Sequence, residues 1–441
     1  MIARKAYKKL LFWKNHKRKQ GLLVTGARQA GKTFLIRHFA SENYKNLVEI
    51  NLVEDENAKT AFNSANNSTD ILLMISAIAK EKLIPGETLI FIDEVQEAPE
   101  IVTAIKFLVE KSNYDFILSG SLLGVELNNI RSFPVGYLDT VTMFPLDFEE
   151  YCGAVGIPDT VFNNARKAFV SKKPVDAFLH EQLMRQFFEY LIVGGMPAVV
   201  SAFVENKNIQ EVRSIQENII RLYKKDITKY AKDDKLHIKN IYDLIPSELN
   251  KENKRFVFRN LEAGAGRYSK YQNSFLWLSD AAAALPVYQV SEAKYPLKLV
   301  KTQNLFKLFY SDVGLLTSNF MRGITLEILK KNEFVNYGAL FENAVAQELR
   351  RCELELYYYN NKKRGEIDFI IENANGDITL IEVKSGKDYK RHNALSNLLS
   401  IKNSRIKEAL VLSSSNLEQT GSITYLPIYM TGMVGEKNQL D

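Results

Sequence analysis

The order of apolar and polar positions predicts alternating strands and helices at the start of the chain. Leu22, Leu23 and Val24 form a short continuous apolar run, and Leu89 to Ile92 form a second one. Runs that are apolar at every position are typical of central parallel strands, which are covered on both faces. Because helical periodicity follows the first run, the pattern favours an α/β fold with a parallel sheet in this part of the chain.

The middle of the chain has the spacing of helices. Two segments are amphipathic, AFLHEQLMRQFFEYLIV and IQEVRSIQENIIRLYKKDITKYAK, and Gly194, Gly195 and Pro197 mark a bend after the first. Residues 151–235 are therefore predicted to form a helical lid region. The basic side chains of the second segment are consistent with a solvated face: Arg213, Arg221, Lys224, Lys225 and Lys229.

Residues 236–322 predict three short helices followed by a strand, which is the order of a winged-helix module. The segment SKYQNSFLWLSDAAAAL corresponds to the recognition-type helix. Four side chains near its start can meet phosphates or bases: Arg267, Tyr268, Lys270 and Tyr271. Winged helices serve just as often in protein packing, so both interpretations stand.

Residues 323–441 contain a hairpin pattern with charged residues on its strands. The segments GEIDFII and TLIEV flank a turn at Asn375-Gly376. Residues two apart on a strand share a face, so Glu382 and Lys384 are expected to point the same way, toward Asp368. Carboxylates among apolar strand residues are costly to keep charged without a cation or hydrogen bonds. Such a cluster therefore needs a chemical explanation.

Composition narrows the class of protein only modestly. The chain has 441 residues, 46% of them hydrophobic, and a net charge of +6 from 58 basic and 52 acidic side chains. This weakly basic balance permits nucleic-acid binding without requiring it. Cys152 and Cys352 have no CxxC spacing, which argues against a zinc site or disulfide framework and predicts a reducing, cytoplasmic location. No apolar run approaches the ~20 residues that span a bilayer, so no membrane partner is expected.

The first 20 residues carry eight Lys or Arg and no acid. Leu10, Leu11, Phe12 and Trp13 lie among these bases and resemble one buried helix face. The segment is predicted to be a helix that docks on the following domain with a solvated basic face. Contact with a membrane or a nucleic acid is the alternative interpretation.

A phosphate-binding loop follows the first apolar run. GARQAGKT has the spacing G-x-x-x-x-G-K-[ST], and its place between a strand and a helix aims free backbone N–H groups at phosphates. Lys32 is expected to neutralise phosphate charge, and Thr33 to hold Mg²⁺ through its hydroxyl. The predicted nucleotide-binding loop comprises Gly26, Ala27, Arg28, Gln29, Ala30, Gly31, Lys32, Thr33 and Phe34.

The second half of the predicted site lies at the ends of two later strands. Asp93 is expected to bind Mg²⁺ through water, and Glu94 to orient and deprotonate the attacking water. A third strand ends at Ser119, which either contacts the γ-phosphate region or leads into a helix capped by Ser121. Arg131 either reaches a phosphate as an arginine finger or lies exposed on the surface.

These motifs resemble the AAA-type P-loop ATPases, and GARQAGKT is similar to the GxRQxGKT loop of a bacterial and archaeal ATPase family. The similarity covers nearly the whole chain, through SGSLLG, SFPVG, FPLDFEEY, GGMPAVV, FKLFYSDVGLLTS and GALFENAVAQEL. It implies a P-loop ATPase core in residues 1–150, a helical and winged-helix middle, and a C-terminal α/β domain that resembles the PD-(D/E)XK restriction endonucleases. Tyr137 stands where many members have a basic residue after SFPVG, so that position supplies no arginine.

The same resemblance gives the hairpin acids a role. Glu342 on an amphipathic helix, Asp368, Glu382 and Lys384 are similar to the E…D…ExK set of these nucleases. The resemblance implies that the three acids hold Mg²⁺ and that Lys384 positions or deprotonates a bound water. The alternative is a buried ion network between the acids and Lys384. Basic residues flank the site and either guide a phosphate backbone or are solvated: Lys362, Lys363, Arg364, Lys387, Lys390 and Arg391.

Together these features predict a protein that uses ATP and Mg²⁺ and couples a nucleotide switch to a metal-dependent nuclease-like domain acting on DNA. The alternative is a regulatory ATPase whose nuclease-like domain only binds nucleic acid or a partner protein. The expected partners are therefore nucleic acid, with DNA first, and either further copies of the chain or another protein.

Overall fold

The computed structural model describes the chain apart from residues 1, 17, 66, 80–81, 121–133, 231–233, 262–267, 321–322, 332–334, 402–404 and 441. The chain divides into two compact units. The N-terminal unit comprises Ala3–Phe144 and Asp280–Ala282, and the C-terminal unit comprises Met1–Ile2, Pro145–Ser279 and Ala283–Asp441. The boundaries between the four predicted domains stay predictions.

The described residues of the N-terminal unit place five strands in one parallel sheet. These strands are β1 (Gly21–Gly26), β2 (Asn46–Asn51), β3 (Thr88–Asp93), β4 (Asp115–Ser119) and β5 (Leu138–Met143). They lie in the order β2-β3-β4-β1-β5, and every neighbouring pair is parallel. The predicted α/β architecture with a parallel sheet is confirmed for this unit.

Helices cover both faces of this sheet. In the described part of the unit they are α1 (Ala6–His16), α2 (Lys32–Asn43), α3 (Glu56–Ser64), α4 (Ser68–Ile78) and α5 (Glu100–Lys111). Leu22 and Val24 of β1 pack in one apolar layer with Leu10 and Trp13 of α1, whereas Leu23 belongs to the layer on the opposite face. This alternation explains why the first apolar run has no polar position.

Helices make up much of the C-terminal unit. Its described helices are α6 (Phe148–Ala154), α7 (Asp159–Ser171), α8 (Ala177–Val193), α9 (Pro197–Asn206), α10 (Ile209–Tyr230), α11 (Lys235–Leu249), α12 (Tyr268–Asp280), α13 (Val313–Ser318), α14 (Ile324–Leu329), α15 (Tyr337–Arg351), α16 (Asn393–Leu399) and α17 (Thr431–Leu440). In the described residues no single helix has the length and apolar composition needed to cross a membrane; α8 and α9, bent by 119°, meet those criteria only together.

A mixed sheet of eight strands forms the other part of the C-terminal unit, as far as its residues are described. The strands are β6 (Ala284–Val290), β7 (Lys301–Tyr310), β8 (Tyr357–Asn361), β9 (Gly365–Glu372), β10 (Ile378–Val383), β11 (Ile406–Ser413), β12 (Glu418–Thr420) and β13 (Ile423–Pro427). Their order is β12-β13-β11-β10-β9-β8-β6-β7. The predicted hairpin is present as the antiparallel pair β9–β10, with Gly376 at φ 78° in its turn.

Two findings bear on the predicted winged-helix region. Its strands β6 and β7 join the same sheet as the predicted hairpin, because β6 pairs with β8. Tyr271, predicted to be available to phosphates or bases, is fully buried, and its ring packs edge-on against His237 at 5.1 Å between centroids. That role is wrong for Tyr271, because a buried ring cannot stack on a base. Arg267 lies outside the described residues.

A buried polar network joins α8, α13 and α15 around Asp312. The carboxylate of Asp312 accepts hydrogen bonds from the backbone N–H groups of Gly195 at 2.6 Å and Leu315 at 3.1 Å. Gln347 of α15 donates to the hydroxyl of Tyr190 at 2.8 Å and accepts from the Val313 N–H at 2.9 Å. The network therefore links the bend after α8 to α15 by buried hydrogen bonds.

The glycines at that bend are required by space as well as by backbone angle. A Cβ on Gly194, which has φ 72°, would lie 2.2 Å from an oxygen of Asp312. A Cβ on Gly195 would lie 2.0 Å from the carbonyl oxygen of Leu146. Both distances are far below contact, so only glycine fits here.

Candidate functional site

The loop between β1 and α2 has the tight backbone geometry that is typical of phosphate-binding loops. Gly26, Gln29 and Gly31 have φ of 129°, 66° and 88°, all in the left-handed region. A Cβ on Gly26 would lie 2.0 Å from the carbonyl oxygen of Met143 on β5, so the loop passes close to the neighbouring strand. Lys32 is the first residue of α2, which places the helix N-terminus directly after the loop.

Lys32 is buried beneath this loop, with 8% of its surface exposed. Its Nζ donates to the carbonyl oxygens of Gly26 at 2.9 Å and Ala27 at 3.0 Å. Burial lowers the pKa of Lys32 to about 8, although the carboxylates of Glu94 and Asp93 act in the opposite direction. A desolvated ammonium at a helix N-terminus strongly favours an incoming anion.

Asp93, the last residue of β3, accepts hydrogen bonds from side chains of α2 and β4 and from the backbone that follows β3. The hydroxyl of Thr33 donates to Asp93 Oδ2 at 2.8 Å, and the hydroxyl of Ser119 donates to Oδ1. The Glu94 N–H also donates to Oδ1, at 3.0 Å. A carboxylate beside a threonine hydroxyl gives hard oxygen ligands of the kind that Mg²⁺ prefers, so these side chains fit the ion.

Glu94 adopts a strained backbone conformation with φ 56°. Its Oε2 accepts a hydrogen bond from Nε2 of Gln96 at 2.6 Å. Gln96 is nearly buried, with 9% of its surface exposed, and lies in the short turn that follows β3. The sequence interpretation missed Gln96, although an amide two residues after the acidic pair was a visible signal.

Arg4 also contacts the loop and was not predicted to do so. Its guanidinium donates to the carbonyl oxygens of Ala30 at 3.0 Å and Phe144 at 2.6 Å. Phe34, predicted to be part of the nucleotide site, is the third residue of α2 and is 60% exposed. Ser121 and Arg131 lie outside the described residues.

The hairpin acids of the C-terminal unit lie together as predicted. Phe369 pairs with Ile381 across the antiparallel strands, and Asp368 and Glu382 are the next residues of the two strands. The N–H of Val383 donates to Asp368 Oδ2 at 2.8 Å. Lys384 follows β10, and its Nζ lies 2.7 Å from Glu382 Oε1.

A lysine that the sequence interpretation missed lies at the centre of this cluster. Lys307 of β7 is 1% exposed. Its Nζ lies 3.0 Å from Glu366 Oε1, 3.3 Å from Glu342 Oε2 and 3.4 Å from Asp368 Oδ1. The Nζ of Lys254 lies 2.7 Å from the other oxygen of Glu342. The acids therefore meet cations that belong to the protein itself.

The electrostatics follow from burial and these pairs. Burial alone would lower the pKa of Lys307, but the carboxylates of Glu342, Asp368 and Glu366 outweigh it and raise that pKa. Burial and the neighbouring Asp368 raise the pKa of Glu342. The same two causes raise the pKa of Glu382 to about 8, and its buried Oε2 has no hydrogen-bond partner in the described part of the chain.

The predicted metal and DNA roles of this region have no direct support in the geometry. Within the described residues, no group of three or more His, Cys, Asp or Glu side chains is arranged to hold a metal ion. Lys390 pairs with Glu418 at 3.0 Å and Arg391 with Asp388 at 3.6 Å, so part of the basic flank is engaged in surface ion pairs. The metal role of Glu342, Asp368 and Glu382 stays a prediction.

Three family models match separate parts of the chain. Residues 18–152 match an AAA domain, residues 184–325 match a domain of unknown function (DUF8612), and residues 337–430 match another domain of unknown function (DUF4143). The first match, together with the parallel sheet, shows that the chain contains an AAA-type P-loop ATPase domain. No curated protein matches the chain.

Solved structures show only a distant likeness. The chain is similar to a Walker-type ATPase of Pyrococcus abyssi, with 13% identity over 72% of this chain and 96% of that one and a TM-score of 0.43. It is also similar to PCH-2 of C. elegans (17% identity, 36% of this chain, 45% of that chain, TM-score 0.23). A third structure is Drosophila ORC bound to DNA (13% identity, 76% and 95%, TM-score 0.26). At these scores the ATPase assignment rests on the family match and the sheet.

Proposed function

We propose that this protein binds and hydrolyses ATP with Mg²⁺, and that nucleotide turnover regulates a C-terminal unit that binds nucleic acid without cleaving it. The observation that carries the ATPase half is the convergence of Thr33 and Ser119 on Asp93 beside the buried Lys32. This is the set of groups that phosphoryl transfer needs: a phosphate-neutralising amine and oxygen ligands for a metal.

The side chains of the loop take separate roles in this proposal. Lys32 neutralises β- and γ-phosphate charge, and the N–H groups of the loop and the first turn of α2 bind phosphate oxygens. Thr33 and Asp93 hold Mg²⁺, which supplies charge neutralisation at the phosphates when it is bound. Ser119 keeps the carboxylate of Asp93 oriented through its hydrogen bond.

Glu94 is proposed to orient the attacking water and accept its proton. Its carboxylate follows the metal-binding Asp93 directly, and Gln96 fixes one of its oxygens by a 2.6 Å hydrogen bond. Because one carboxylate oxygen is restrained in this way, the other is left to contact the water. Gln96 is therefore a positioning residue for the base.

The test separates binding from hydrolysis. Glu94→Gln is expected to keep MgATP binding and to lower kcat by about 10²–10⁴-fold, because only the proton acceptor is removed. Glu100→Gln, an exposed glutamate on α5, is the matched control and should match the wild type. Equal hydrolysis by Glu94→Gln and the wild type would contradict the role of Glu94. A wild-type protein that binds no MgATP would contradict the ATPase proposal.

For the C-terminal unit, the observation that favours binding over cleavage is that lysine side chains form ion pairs with the acids predicted to hold a metal. Glu342 contacts both Lys254 and Lys307, and Asp368 also contacts Lys307. The exposed Lys362 and Lys363 at the β8–β9 turn supply positive charge that can meet a phosphate backbone.

Nucleic-acid binding is tested with fluorescent single strands and duplexes of DNA and RNA over a range of salt concentrations. The double variant Lys362→Ala/Lys363→Ala should weaken binding and reduce the slope of log K against log salt by about two. Lys172→Ala/Lys173→Ala, an exposed pair on the same unit, is the control. Mg²⁺-dependent cleavage by the wild type that is lost in Asp368→Ala would support the nuclease hypothesis instead. Absence of any binding would favour a protein partner.

A further inference from the structure

The three acids predicted to hold a metal ion have little coordination capacity left. Glu342 has Oε1 on Lys254 and Oε2 on Lys307. Asp368 has Oδ1 on Lys307 and Oδ2 on the N–H of Val383. Five of their six carboxylate oxygens are engaged once Glu382 Oε1, which contacts Lys384, is added. Among the described residues, nothing donates a hydrogen bond to the sixth, Glu382 Oε2.

We infer that the ammonium of Lys307 is the resident cation of this cluster, and that it excludes a divalent cation which the same carboxylates would otherwise bind. The inference concerns a cation site in the C-terminal unit, and it does not rest on ATP hydrolysis in the other unit. It also gives Lys307 a specific role: it sets which cation the cluster holds.

The position of Lys307 makes the exclusion effective. Its side chain is 1% exposed and its Nζ lies 5.2 Å from the centre of the Tyr358 ring, so the ammonium is held between the carboxylates and this ring. A divalent ion bound within a few ångströms of this ammonium would meet strong repulsion in a poorly solvated site. Because the lysine is part of β7, its ammonium has a high effective concentration at the cluster, and a free ion must compete against it.

The remaining acid explains why the cluster is close to a metal site. Glu382 is 8% exposed and directly follows Ile381, which pairs with Phe369 beside Asp368; within the described residues its Oε2 has no hydrogen-bond partner. Removal of Lys307 would release one oxygen of Glu342 and one of Asp368 beside it. Three carboxylate oxygens from separate elements are a suitable set for one Mg²⁺ or Mn²⁺.

The experiment measures Mn²⁺ binding to the nucleotide-free full chain by electron paramagnetic resonance. Lys307→Met is expected to gain one Mn²⁺ site, at least about tenfold tighter than any site in the wild type. The site should vanish in Lys307→Met/Asp368→Asn, which distinguishes it from a metal bound near Asp93. Lys307→Arg keeps the charge and should still exclude the ion. Lys173→Met, at an exposed lysine of the same unit, is the matched control.

Several outcomes would overturn the inference. One is a wild-type protein that binds one Mn²⁺ which Asp368→Asn abolishes, since Lys307 would then not exclude the metal. Another is a folded Lys307→Met that gains no site. If Lys307→Met is unfolded without metal, recovery of its native circular dichroism in millimolar Mn²⁺ supports the inference, and failure to recover counts against it.

Discussion

The two units bury a lysine in opposite ways. Lys32 of the N-terminal unit lies against the carbonyl oxygens of Gly26 and Ala27, and burial lowers its pKa to about 8. Lys307 of the C-terminal unit lies among three carboxylates, which raise its pKa. Within the described residues, Lys32 forms no ion pair with a carboxylate, whereas Lys307 has more than one such partner.

This difference separates a binding group from an internal counter-ion. Burial is common to both lysines, so burial alone does not identify a functional site. A lysine whose pKa is lowered gains free energy when an anion arrives, because the anion compensates the lost hydration. A lysine whose pKa is raised by neighbouring carboxylates is already compensated for its lost hydration, so an incoming anion adds little. The comparison therefore predicts that Lys32 matters for ligand affinity and Lys307 for stability.

The largest expected effect is on the stability of the C-terminal unit. Lys307→Met should lower its free energy of unfolding by about 3–5 kcal/mol, because the buried Glu342 and the partly buried Asp368 and Glu366 lose their common partner. The two tryptophans make the measurement selective, since Trp13 lies in the N-terminal unit and Trp277 in the C-terminal unit. Denaturant unfolding followed by Trp277 fluorescence in a Trp13→Phe background reports the change. Exposed Lys173→Met should stay within about 0.5 kcal/mol of the parent.

The second prediction tests the other half of the comparison. Lys32→Met should weaken MgATP binding about 100-fold, because charge-assisted contacts to phosphate are lost. It should not lower the stability of the nucleotide-free N-terminal unit, because the substitution removes a desolvated charge. Calorimetric titration with MgATP and unfolding followed by Trp13 in a Trp277→Phe background measure the two quantities. If Lys32→Met lost as much stability as Lys307→Met, the proposed difference between the two buried lysines would be wrong.

A third effect is a pH dependence of affinity. The pKa of Lys32 is about 8 in the folded protein against an ordinary 10.5, so the amine loses its proton as the pH rises above 8. MgATP affinity should then fall by up to about tenfold for each pH unit above 8. Without nucleotide, the unfolded chain binds more protons between pH 8 and 10.5, so stability should rise across that window. Lys32→Arg stays charged throughout and should show neither trend.

The smallest effect is expected at Ser119. Ser119→Ala removes one hydrogen bond to the carboxylate of Asp93 and should reduce kcat by about fivefold, with a higher Mg²⁺ requirement. Steady-state hydrolysis over a Mg²⁺ titration measures both. Ser41→Ala on the exposed surface of α2 is the control. An unchanged Mg²⁺ dependence would contradict the proposed role of Ser119 in orienting Asp93.

The N-terminal site was accessible from sequence because its parts are local. A strand, a glycine-rich loop and a helix follow each other directly, and strand ends in a parallel sheet meet at one edge. The order of the strands was not accessible, since it depends on packing between distant segments. The amide of Gln96 was visible two residues after the acidic pair, but its contact with Glu94 was not, because the contact depends on the left-handed turn at Glu94.

The C-terminal cluster was only half accessible for a related reason. Asp368 and Glu382 are joined by a short turn, so their proximity follows from the hairpin. Lys307 lies 61 residues before Asp368, on a strand that pairs with a different part of the sheet. The signal was nevertheless present, because Lys307 is flanked by Phe306 and Leu308 in the sequence. A charged group among apolar strand residues is costly to desolvate, and this holds for a lysine as much as for the acids.

The Asp312 network has a practical consequence for recombinant fragments. A fragment that starts at residue 236 or at residue 323 would lack both Gly195 and Tyr190. The fragment that starts at residue 236 would keep Asp312, but the carboxylate would lose the 2.6 Å hydrogen bond from the Gly195 N–H. An orphaned buried acceptor of this kind costs about 1–3 kcal/mol, and the apolar faces of α13 and α15 that pack on α8 would be exposed to solvent. Such pieces should accumulate in inclusion bodies. An expression fragment that begins near Pro145 keeps the network whole and is the better choice for crystallisation or isotope labelling.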